Sequence, residues 1–171
     1  MLDLIKMLQA RYGLYIPKVD DYLNDTIRAL LTRRVCRSFL DRDVDDELLD
    51  VLLACAQSAP TKSNLQQYSI ITIRNRETRN KIAGLIPSMR WIAKAPVFLT
   101  FLGDVRRNRK LANFRGHNYA NNNADTFMNA AIDAALAMQM FINAAESAGL
   151  GCCPISYVRN YIEEFAMILK L

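Results

Sequence analysis

The segment from Thr126 to Ala148 sets the strongest limit on how this chain can fold. It is long and apolar, but polar side chains interrupt it at five positions: Asn129, Asp133, Gln139, Asn143 and Glu146. Placing these groups in a bilayer would cost several kcal/mol in sum. We therefore predict a helix buried in a soluble protein rather than a membrane span. Its nearly unbroken apolar face needs a protein partner.

The composition indicates one globular domain. The chain has 171 residues, of which 51% are hydrophobic and 23% charged, so it is long enough for one sizeable core and short for two. Its formal net charge of +5 favours an anionic partner. That partner could be a nucleotide cofactor, a nucleic acid or an acidic membrane surface, and charge alone does not choose between them.

The N-terminus and the cysteines predict a cytoplasmic protein with neither a metal site nor a disulfide framework. Asp3 and Lys6 interrupt the first apolar stretch, and no small-residue cleavage signal follows, so the stretch differs from a secretory signal. His117 is the single histidine, and CxxC spacing is absent from the four cysteines: Cys36, Cys55, Cys152 and Cys153. We expect reduced, partly buried thiols.

The first part of the chain predicts a helical extension. A weak apolar face over residues 2–12 predicts a helix that Gly13 and Pro17 end. We therefore expect residues 1–23 to form an extension of a domain that comprises residues 24–171.

Two further helices are predicted from capping residues. Asn24, Asp25 or Thr26 can cap a helix that runs into the basic segment, defined here as residues 33–37, so that Arg33 and Arg37 share one helical face. Asp45 caps the next helix, whose apolar face extends to Ala56.

Short strands follow these helices. Ser69–Ile73 is β-rich, and Pro96–Leu102 is continuously apolar, which suits a central strand. Glu77–Ile86 lies between them and predicts a helix. We interpret Arg106–Lys110 and Asn121–Asn123 as a solvated polar loop. After the long helix closes at Gly149, we expect Cys152–Ile155 to begin an extended segment.

Three segments could carry chemistry: Arg33–Phe39, Pro60–Gln67 and Gly149–Arg159. Two arginines four residues apart more often form a solvated helix face than a phosphate site, although guanidinium groups hold a phosphomonoester well. Residues 60–64 offer backbone N–H groups, hydroxyls, an amide and an ammonium. Such a stretch is more often a turn with local hydrogen bonds than a ligand cradle. As a cradle it would suit the polar edge of a flat heterocycle.

No side-chain nucleophile stands out, and the common nucleotide motifs are absent. The chain has no G-x-S-x-G elbow, no G-x-G-x-x-G and no G-x-x-x-x-G-K-[ST]. Cys152 and Cys153 are more often core thiols than nucleophiles. We therefore assign no catalytic side chain.

Four strings, taken in order, resemble the nitroreductase family, especially its NADPH-dependent flavin and nitro-compound reductase branch. They are Arg33–Phe39, Ala59–Gln66, Ala95–Phe98 and Ala144–Gly151, the last leading to Val158–Asn160. The resemblance runs from about residue 24 to the last residue. It implies an α+β fold with a central mixed, mainly antiparallel sheet flanked by helices, and a homodimer joined through the long helix.

The resemblance also implies an FMN site with residues from three segments. Arg33 and Arg34 would bind the FMN phosphate, and Arg37 would reach the ribityl chain or the ring. The polar edge of the flavin would meet Thr61, Lys62, Asn64 and Gln66. The stretch formed by Pro154, Ile155, Ser156 and Tyr157 would lie against the ring, with backbone N–H groups near the flavin N5 and O4.

Three departures from the family pattern accompany this resemblance. Val35 stands where the family usually has a serine, which removes one phosphate contact. Met89 is the nearest residue to a position where the family commonly has glutamine or asparagine. The chain stops at Leu171, where family members continue into a further strand and a basic tail, so we expect that strand and tail to be missing.

The implied activity is ping-pong, two-electron reduction with FMN as cofactor and NADPH or NADH as co-substrate. The acceptor would be a small molecule such as a nitro compound, a quinone or a flavin, and both subunits of the dimer would form the pocket. The alternative hypothesis is a basic nucleic-acid-binding protein or a decayed, non-catalytic flavin-fold protein. The basic residues of Arg106–Lys110 are its best support, although a solvated loop explains them equally well.

Overall fold

Helices surround a short antiparallel pair of strands. The computed structural model describes residues 2–13 and 22–171. The elements, in chain order, are α1 Leu2–Tyr12, α2 Asp25–Thr32, α3 Asp46–Gln57, β1 Tyr68–Ile73, α4 Arg76–Leu85, β2 Phe98–Gly103, α5 Arg106–Phe114, α6 Ala124–Ser147 and α7 Ile162–Leu169. Short 3-10 turns occur at Lys62–Asn64, Pro87–Lys94 and Tyr157–Tyr161.

The sheet lies against α6. Strand β1 pairs antiparallel with β2, with Tyr68 opposite Gly103 and Ile73 opposite Phe98. A Cβ atom at Gly103 would lie 3.1 Å from the backbone carbon of Ala130, so the absence of a side chain lets α6 approach the end of β2 closely. The predicted α+β class is confirmed. The mixed sheet and the central strand are not seen, because the described residues contain one two-stranded antiparallel sheet.

Two larger apolar clusters lie on either side of this sheet, and a smaller third one joins β1 to α6 through Tyr68 and Ala137. The first joins α3 to α6 through Leu49, Leu52, Ala56, Phe141 and Ala145. The second joins β1, α4 and α7 through Ile73, Ile82, Ile86, Ile92 and Phe165. Burying each large aliphatic or aromatic side chain stabilises the fold by about 1.5–3 kcal/mol relative to leaving it exposed. The fold therefore holds α6 firmly at its C-terminal half.

Asparagine caps begin three helices. The side chains of Asn24, Asn75 and Asn123 accept hydrogen bonds from the N–H groups of Ile27, Thr78 and Thr126 at the starts of α2, α4 and α6. Asp45 precedes α3 as predicted, although its side chain makes no capping hydrogen bond. Local capping chemistry thus sets the starts of α2, α4 and α6, as expected for groups that satisfy the first free N–H groups.

The predicted helical face shared by Arg33 and Arg37 is wrong. Helix α2 ends at Thr32, and Arg33 has φ −52° and ψ 140°, which is not helical. Contacts distant in sequence draw the chain away from the helix, because the Arg33 side chain pairs with Glu146 and the Cys36 N–H donates to the Cys152 carbonyl at 3.0 Å.

Two other local predictions are also wrong. Arg106–Lys110 is helical rather than a solvated loop, because Asp104 Oδ1 accepts from the Arg106 N–H at 2.8 Å and so supports the first turn of α5. Cys152–Ile155 is irregular rather than a strand. Pro154 has no N–H for a ladder, and Cys152 contributes a single carbonyl to Cys36.

The N-terminal helix packs on α2. The Arg11 Nη2 donates to the Leu31 carbonyl at 2.9 Å, and Gly13 follows α1 with φ +73°. The helix predicted over residues 2–12 is confirmed. The predicted break at Pro17 lies outside the described residues.

Candidate functional site

The basic segment is attached to the C-terminal end of α6. Arg33 donates from Nε and Nη2 to the two carboxylate oxygens of Glu146, both at 2.9 Å. Both side chains are mostly buried, with exposed fractions of 28% for Arg33 and 14% for Glu146. The hydrogen bond to Glu146 raises the pKa of Arg33 further, although burial opposes the shift. Arg33 therefore stays charged while much of its donor fork is occupied.

Arg34 and Arg37 are exposed beside this pair. Arg34 Nη1 donates to the Arg33 carbonyl at 2.8 Å, which turns its side chain back along the segment. Within residues 2–13 and 22–171, neither arginine forms an ion pair with a carboxylate. Two guanidinium groups thus remain for an external anion.

The segment predicted to face the flavin ring lies next to the basic segment. A Cβ at Gly151 would lie 2.6 Å from the Cys36 Cβ, so a side chain there would force the two segments apart. Pro154 and Ser156 are exposed, whereas Ile155 packs against the second core cluster. Tyr157 is 43% exposed, and its ring centroid lies 6.2 Å from that of Tyr161. The fold therefore brings two of the three predicted site segments together.

Cys152, in the same neighbourhood, is a protonated thiol at neutral pH. Burial, followed by the charge of Glu146, raises its pKa to about 11. Because the thiolate is the nucleophile, this thiol is a poor one. All four cysteines are free and partly buried, as predicted.

The third predicted segment, which we call the edge loop, comprises residues 61–67 and lies near the middle of α6. Its backbone is unusual: Ser63, Asn64 and Gln66 have φ values of 52°, 54° and 48°, in the left-handed region that non-glycine residues rarely occupy. The Thr61 hydroxyl accepts from the Gln66 N–H at 3.3 Å, and Gln66 Nε2 donates to Asn64 Oδ1 at 3.1 Å. These contacts keep the polar side chains together on an exposed surface.

A buried carboxylate on α6 anchors the edge loop from below. Asp133 is fully buried, and its two oxygens accept from the N–H groups of Lys62 at 3.1 Å and Gln67 at 3.0 Å. The bonds use the backbone, so the Lys62 side chain remains exposed and contacts the Ser63 hydroxyl at 3.3 Å.

Helix α5 also binds the edge loop, through the carbonyl groups of the loop backbone. Arg107 Nη2 donates to the carbonyls of Gln66 at 2.5 Å and Tyr68 at 3.1 Å, and Asn108 Nδ2 donates to the Leu65 carbonyl at 3.2 Å. Part of the basic run that was predicted to be solvated therefore has a structural role.

A surface cavity of about 380 Å³ opens between the edge loop and α5. Its lining includes Asn64, Asn108, Arg115, His117 and Tyr119. The hydroxyl of Tyr119 is buried and has no hydrogen-bond partner in the part of the chain that the structure describes. The edge loop thus borders a concave surface that is largely apolar and carries the guanidinium group of Arg115.

The two halves of the predicted site are far apart within one chain. The edge loop is anchored at Asp133 and the basic segment at Glu146, thirteen residues further along α6. That spacing corresponds to about 20 Å along the helix axis. The two predicted segments are therefore attached at separate places on α6.

Helix α6 also carries an exposed apolar stripe. Met128, Ile132, Leu136 and Met140 repeat every four residues and are 52%, 47%, 37% and 36% exposed. Residues spaced by four lie on one helix face, so these side chains form a continuous surface, the α6 stripe. Such a surface is typical of an interface with another protein surface.

Sequence reasoning missed the residues that hold the two half-sites. Asp133 and Glu146 were recognised only as polar interruptions of an apolar helix, and Arg107 only as part of a basic run. A usable signal was present, since Asp133 lies among the buried positions Ala130, Ala134 and Ala137 of α6. Met89, at the position where the family has a polar residue, packs against the second core cluster.

Two other kinds of site are not seen in the part of the chain that the structure describes. Among residues 2–13 and 22–171, no three His, Cys, Asp or Glu side chains are grouped so that they could hold a metal ion. No helix in that part of the chain combines the length and the apolar character needed to cross a membrane.

Known proteins resemble this chain over most of its length. The model described as Nitroreductase family matches residues 30–171. The chain is 37% identical over 152 residues to FMN reductase, NAD(P)H, of Bacillus subtilis strain 168, a match that covers 87% of this chain and 61% of the relative. The chain spans about three fifths of the length of the curated relatives it matches.

Solved structures have the same fold. NfrA2 of B. megaterium superposes with a TM-score of 0.84 at 33% identity, covering 87% of this chain and 61% of that one. The NADPH:FMN oxidoreductase of Vibrio harveyi complexed with NAD+ superposes with a TM-score of 0.80 at 27% identity, covering 86% and 63%.

Proposed function

The chain belongs to the nitroreductase family, and from that premise we propose that it is part of an FMN-dependent oxidoreductase using NADPH or NADH. The acceptor class is a small oxidant such as a nitro compound, a quinone or a flavin. The observation that carries this proposal is the edge loop, whose backbone is anchored from two sides while its polar side chains remain exposed. The printed names of the relatives support FMN and nicotinamide nucleotides as ligands.

The residues of the basic segment fit an FMN phosphate. Arg34 and Arg37 are exposed and free of carboxylate partners within the described ranges, and a phosphomonoester carries about −1.5 to −2 charges at neutral pH. Glu146 holds Nε and Nη2 of Arg33, and among residues 2–13 and 22–171 no acceptor binds its Nη1. We assign the phosphate to Arg34 with Arg33, and the ribityl chain or ring to Arg37.

The edge loop and the segment from Pro154 to Tyr157 fit the ring. Thr61, Lys62, Asn64 and Gln66 offer a hydroxyl, an ammonium and two amides, which can donate to and accept from the heteroatoms of a flat heterocycle. Pro154, Ile155, Ser156 and Tyr157 contribute main-chain groups, of which Pro154 supplies only a carbonyl.

FMN supplies the two-electron chemistry when it is bound. The chain's own residues bind and orient it. Lys62 or Arg37 would stabilise the negative charge that reduction adds to the ring, through fixed positive charge at its polar edge. No nucleophilic side chain is needed, in agreement with the protonated thiol of Cys152.

The proposal includes a homodimer joined along the α6 stripe. The stripe supports it because an exposed row of large apolar side chains is unfavourable in water. The separation of the half-sites supports it as well, because the basic segment of one chain can meet the edge loop of another. A small-molecule acceptor would then bind at the interface. The four free thiols are compatible with a cytoplasmic location.

A nucleic-acid-binding function lacks a comparable supporting observation. Arg107 is bonded to the edge loop, and Arg109 donates to Asn122 Oδ1 at 2.6 Å and lies 5.8 Å from the centroid of the Tyr119 ring. These contacts make part of the basic run unavailable for a phosphate backbone.

Reconstitution with FMN tests the proposed function. The purified chain is incubated with excess FMN, desalted and scanned in the visible range. Retention of a flavin band, followed by its bleaching with NADPH or NADH under anaerobic conditions, is the expected result. A desalted protein without any flavin band contradicts FMN binding, and a band that neither nucleotide bleaches contradicts the oxidoreductase assignment.

A further inference from the structure

Asp133 makes a contact that the proposed function does not by itself explain. Its carboxylate is fully buried, and each oxygen accepts one backbone N–H, from Lys62 on one side of the turn and from Gln67 on the other. Within the described residues it forms no ion pair. Burying a charge without a cationic partner is costly, so a core that needed only packing would favour an apolar residue here.

The bonds span the strained part of the edge loop. Ser63, Asn64 and Gln66, all with positive φ, lie between the two anchored N–H groups. A non-glycine residue persists in this conformation only where its surroundings determine it. Asp133 does so from the α6 side, while Arg107 and Asn108 hold the outer carbonyls.

We propose that Asp133 is a positioning residue for the cofactor: it sets the shape of the edge loop so that Thr61, Lys62 and Asn64 meet the polar edge of the flavin. This inference rests on the proposed function. Asp133 is buried beneath the loop and acts through the backbone of Lys62 and Gln67, without touching the cofactor itself. Binding of FMN to a preformed loop avoids the entropy of ordering it.

Asp133→Asn tests the inference with almost no change in shape. The amide keeps one acceptor but turns an N–H₂ group towards the second backbone N–H, so one anchor is lost. We expect faster amide hydrogen exchange at Lys62 or Gln67, measured by NMR without FMN, and unchanged exchange at the core residues Leu49 and Leu52. FMN affinity, measured by fluorescence titration, falls about tenfold or more, as expected for the loss of one charge-assisted bond.

Asp125→Asn is the matched control. Asp125 lies on the same helix but is exposed and accepts from the Asn129 side chain at 2.8 Å. Its replacement removes the same charge from α6 and leaves loop exchange and FMN affinity unchanged. If Asp125→Asn lowers affinity as much as Asp133→Asn, charge alone explains the result and the positioning role is overturned.

Amide hydrogen exchange of the wild-type chain tests the anchor without depending on whether the variant folds. We expect the Lys62 and Gln67 amides of the wild type to exchange slowly, in contrast to the Ser63 amide, and rapid exchange at both would overturn the anchor. Absence of FMN binding in the wild type would overturn the proposed function and this inference with it. A wild type that binds FMN beside an Asp133→Asn variant of equal affinity would overturn this inference alone.

Discussion

The basic segment and the edge loop are both held by a carboxylate of α6, but in opposite ways. Glu146 binds a side chain, and the two Arg33 nitrogens that it holds are no longer free for a ligand. Asp133 binds two backbone N–H groups and leaves the side chains of the loop exposed. An anchor to the backbone therefore preserves binding groups, whereas an anchor to a side chain occupies one.

This difference explains how the chain can combine rigidity with a polar binding surface. At the basic segment, the proposed site uses the neighbouring residues Arg34 and Arg37 in place of the donors that Glu146 occupies. At the edge loop no compensation is needed. Asp133 and Arg107 both bind the strained backbone of the loop and leave its polar side chains exposed. The two regions should therefore respond differently to substitution.

The largest expected difference follows from removing each carboxylate. Asp133→Ala truncates a buried side chain and leaves two backbone N–H groups without acceptors. Each such group costs about 1–3 kcal/mol. Glu146→Ala frees a partly exposed arginine that water can solvate, and we expect a loss of about 1–2 kcal/mol. Urea denaturation of the FMN-free chains measures both. Equal losses would show that the two anchors do not differ in the way described.

Alkaline pH should lower the stability of the fold through the buried thiol of Cys152, which lies beside the basic segment. Its pKa is raised from 9.0 to about 11 in the folded chain, so the unfolded chain releases its proton first as the pH rises. The contribution of this thiol to the stability of the fold is therefore fully present below pH 9 and is lost progressively towards pH 11. Two pKa units correspond to about 2.7 kcal/mol, and partial exposure of the thiol reduces the expected loss to about 2 kcal/mol or less.

The Cys152→Ala variant isolates that contribution, because other groups such as Tyr68 also titrate in alkali with a pKa raised by burial. Denaturation curves of both chains are compared at several pH values. The stability of the variant should fall less steeply than that of the wild type over this window. Identical slopes would contradict the burial of the Cys152 thiol.

The arginines should separate binding from stability. Arg34→Ala removes an exposed charge-assisted contact, so FMN affinity should fall by about tenfold while stability changes by less than about 0.5 kcal/mol. Arg33→Ala should lower stability by about 1–2 kcal/mol, because Glu146 loses its partner, and should also weaken FMN binding. FMN titration and urea denaturation of both variants test this. If both variants show the same changes in FMN affinity and in stability, Arg33 and Arg34 do not differ in their roles.

The smallest effect on stability is expected at Lys62. Lys62→Ala keeps the N–H that donates to Asp133 and removes an exposed ammonium, so the change in stability should stay within about 0.5 kcal/mol. The reduction potential of bound FMN should fall, because a positive charge near the reduced ring is lost. Spectroelectrochemistry measures the potential. A large loss of stability with an unchanged potential would place the Lys62 side chain in the fold rather than at the ligand.

Local chemistry made much of the fold predictable, and distant contacts account for most of the errors. The cap at Asn24 and the period of α3 and α6 depend on neighbouring residues and were predicted closely, whereas the cap at Asn123 was assigned to a loop. The end of α2 depends on a pair 113 positions apart, which no local pattern contains. Helix α5 was missed because its basic residues were interpreted by charge, while Asp104 and the edge-loop carbonyls determine its structure.

The candidate site was predictable as a set of segments but not as an arrangement. The family strings identified Arg33–Arg37 and Thr61–Gln66, and those residues remain predictions for the FMN site. Their separation along α6 became visible only in the folded chain. Whether a site is continuous depends on where α6 holds each segment, and neither Asp133 nor Glu146 belongs to the segments themselves.

Complementation between chains tests most directly the central claim, which is that two half-sites from different chains make one FMN site. One variant carries Arg34→Ala and Arg37→Ala, and the other carries Thr61→Ala and Asn64→Ala. Each binds FMN weakly by itself. The two are co-expressed with different affinity tags, and the mixed dimer is purified and titrated with FMN by fluorescence.

If each site uses both chains, the mixed dimer contains one site with both defects and one intact site. The account predicts that it binds one FMN with the affinity of the wild type. If a single chain supplied both segments, every site would carry one defect. Weak binding throughout the mixed dimer, equal to that of the parent variants, would contradict the account.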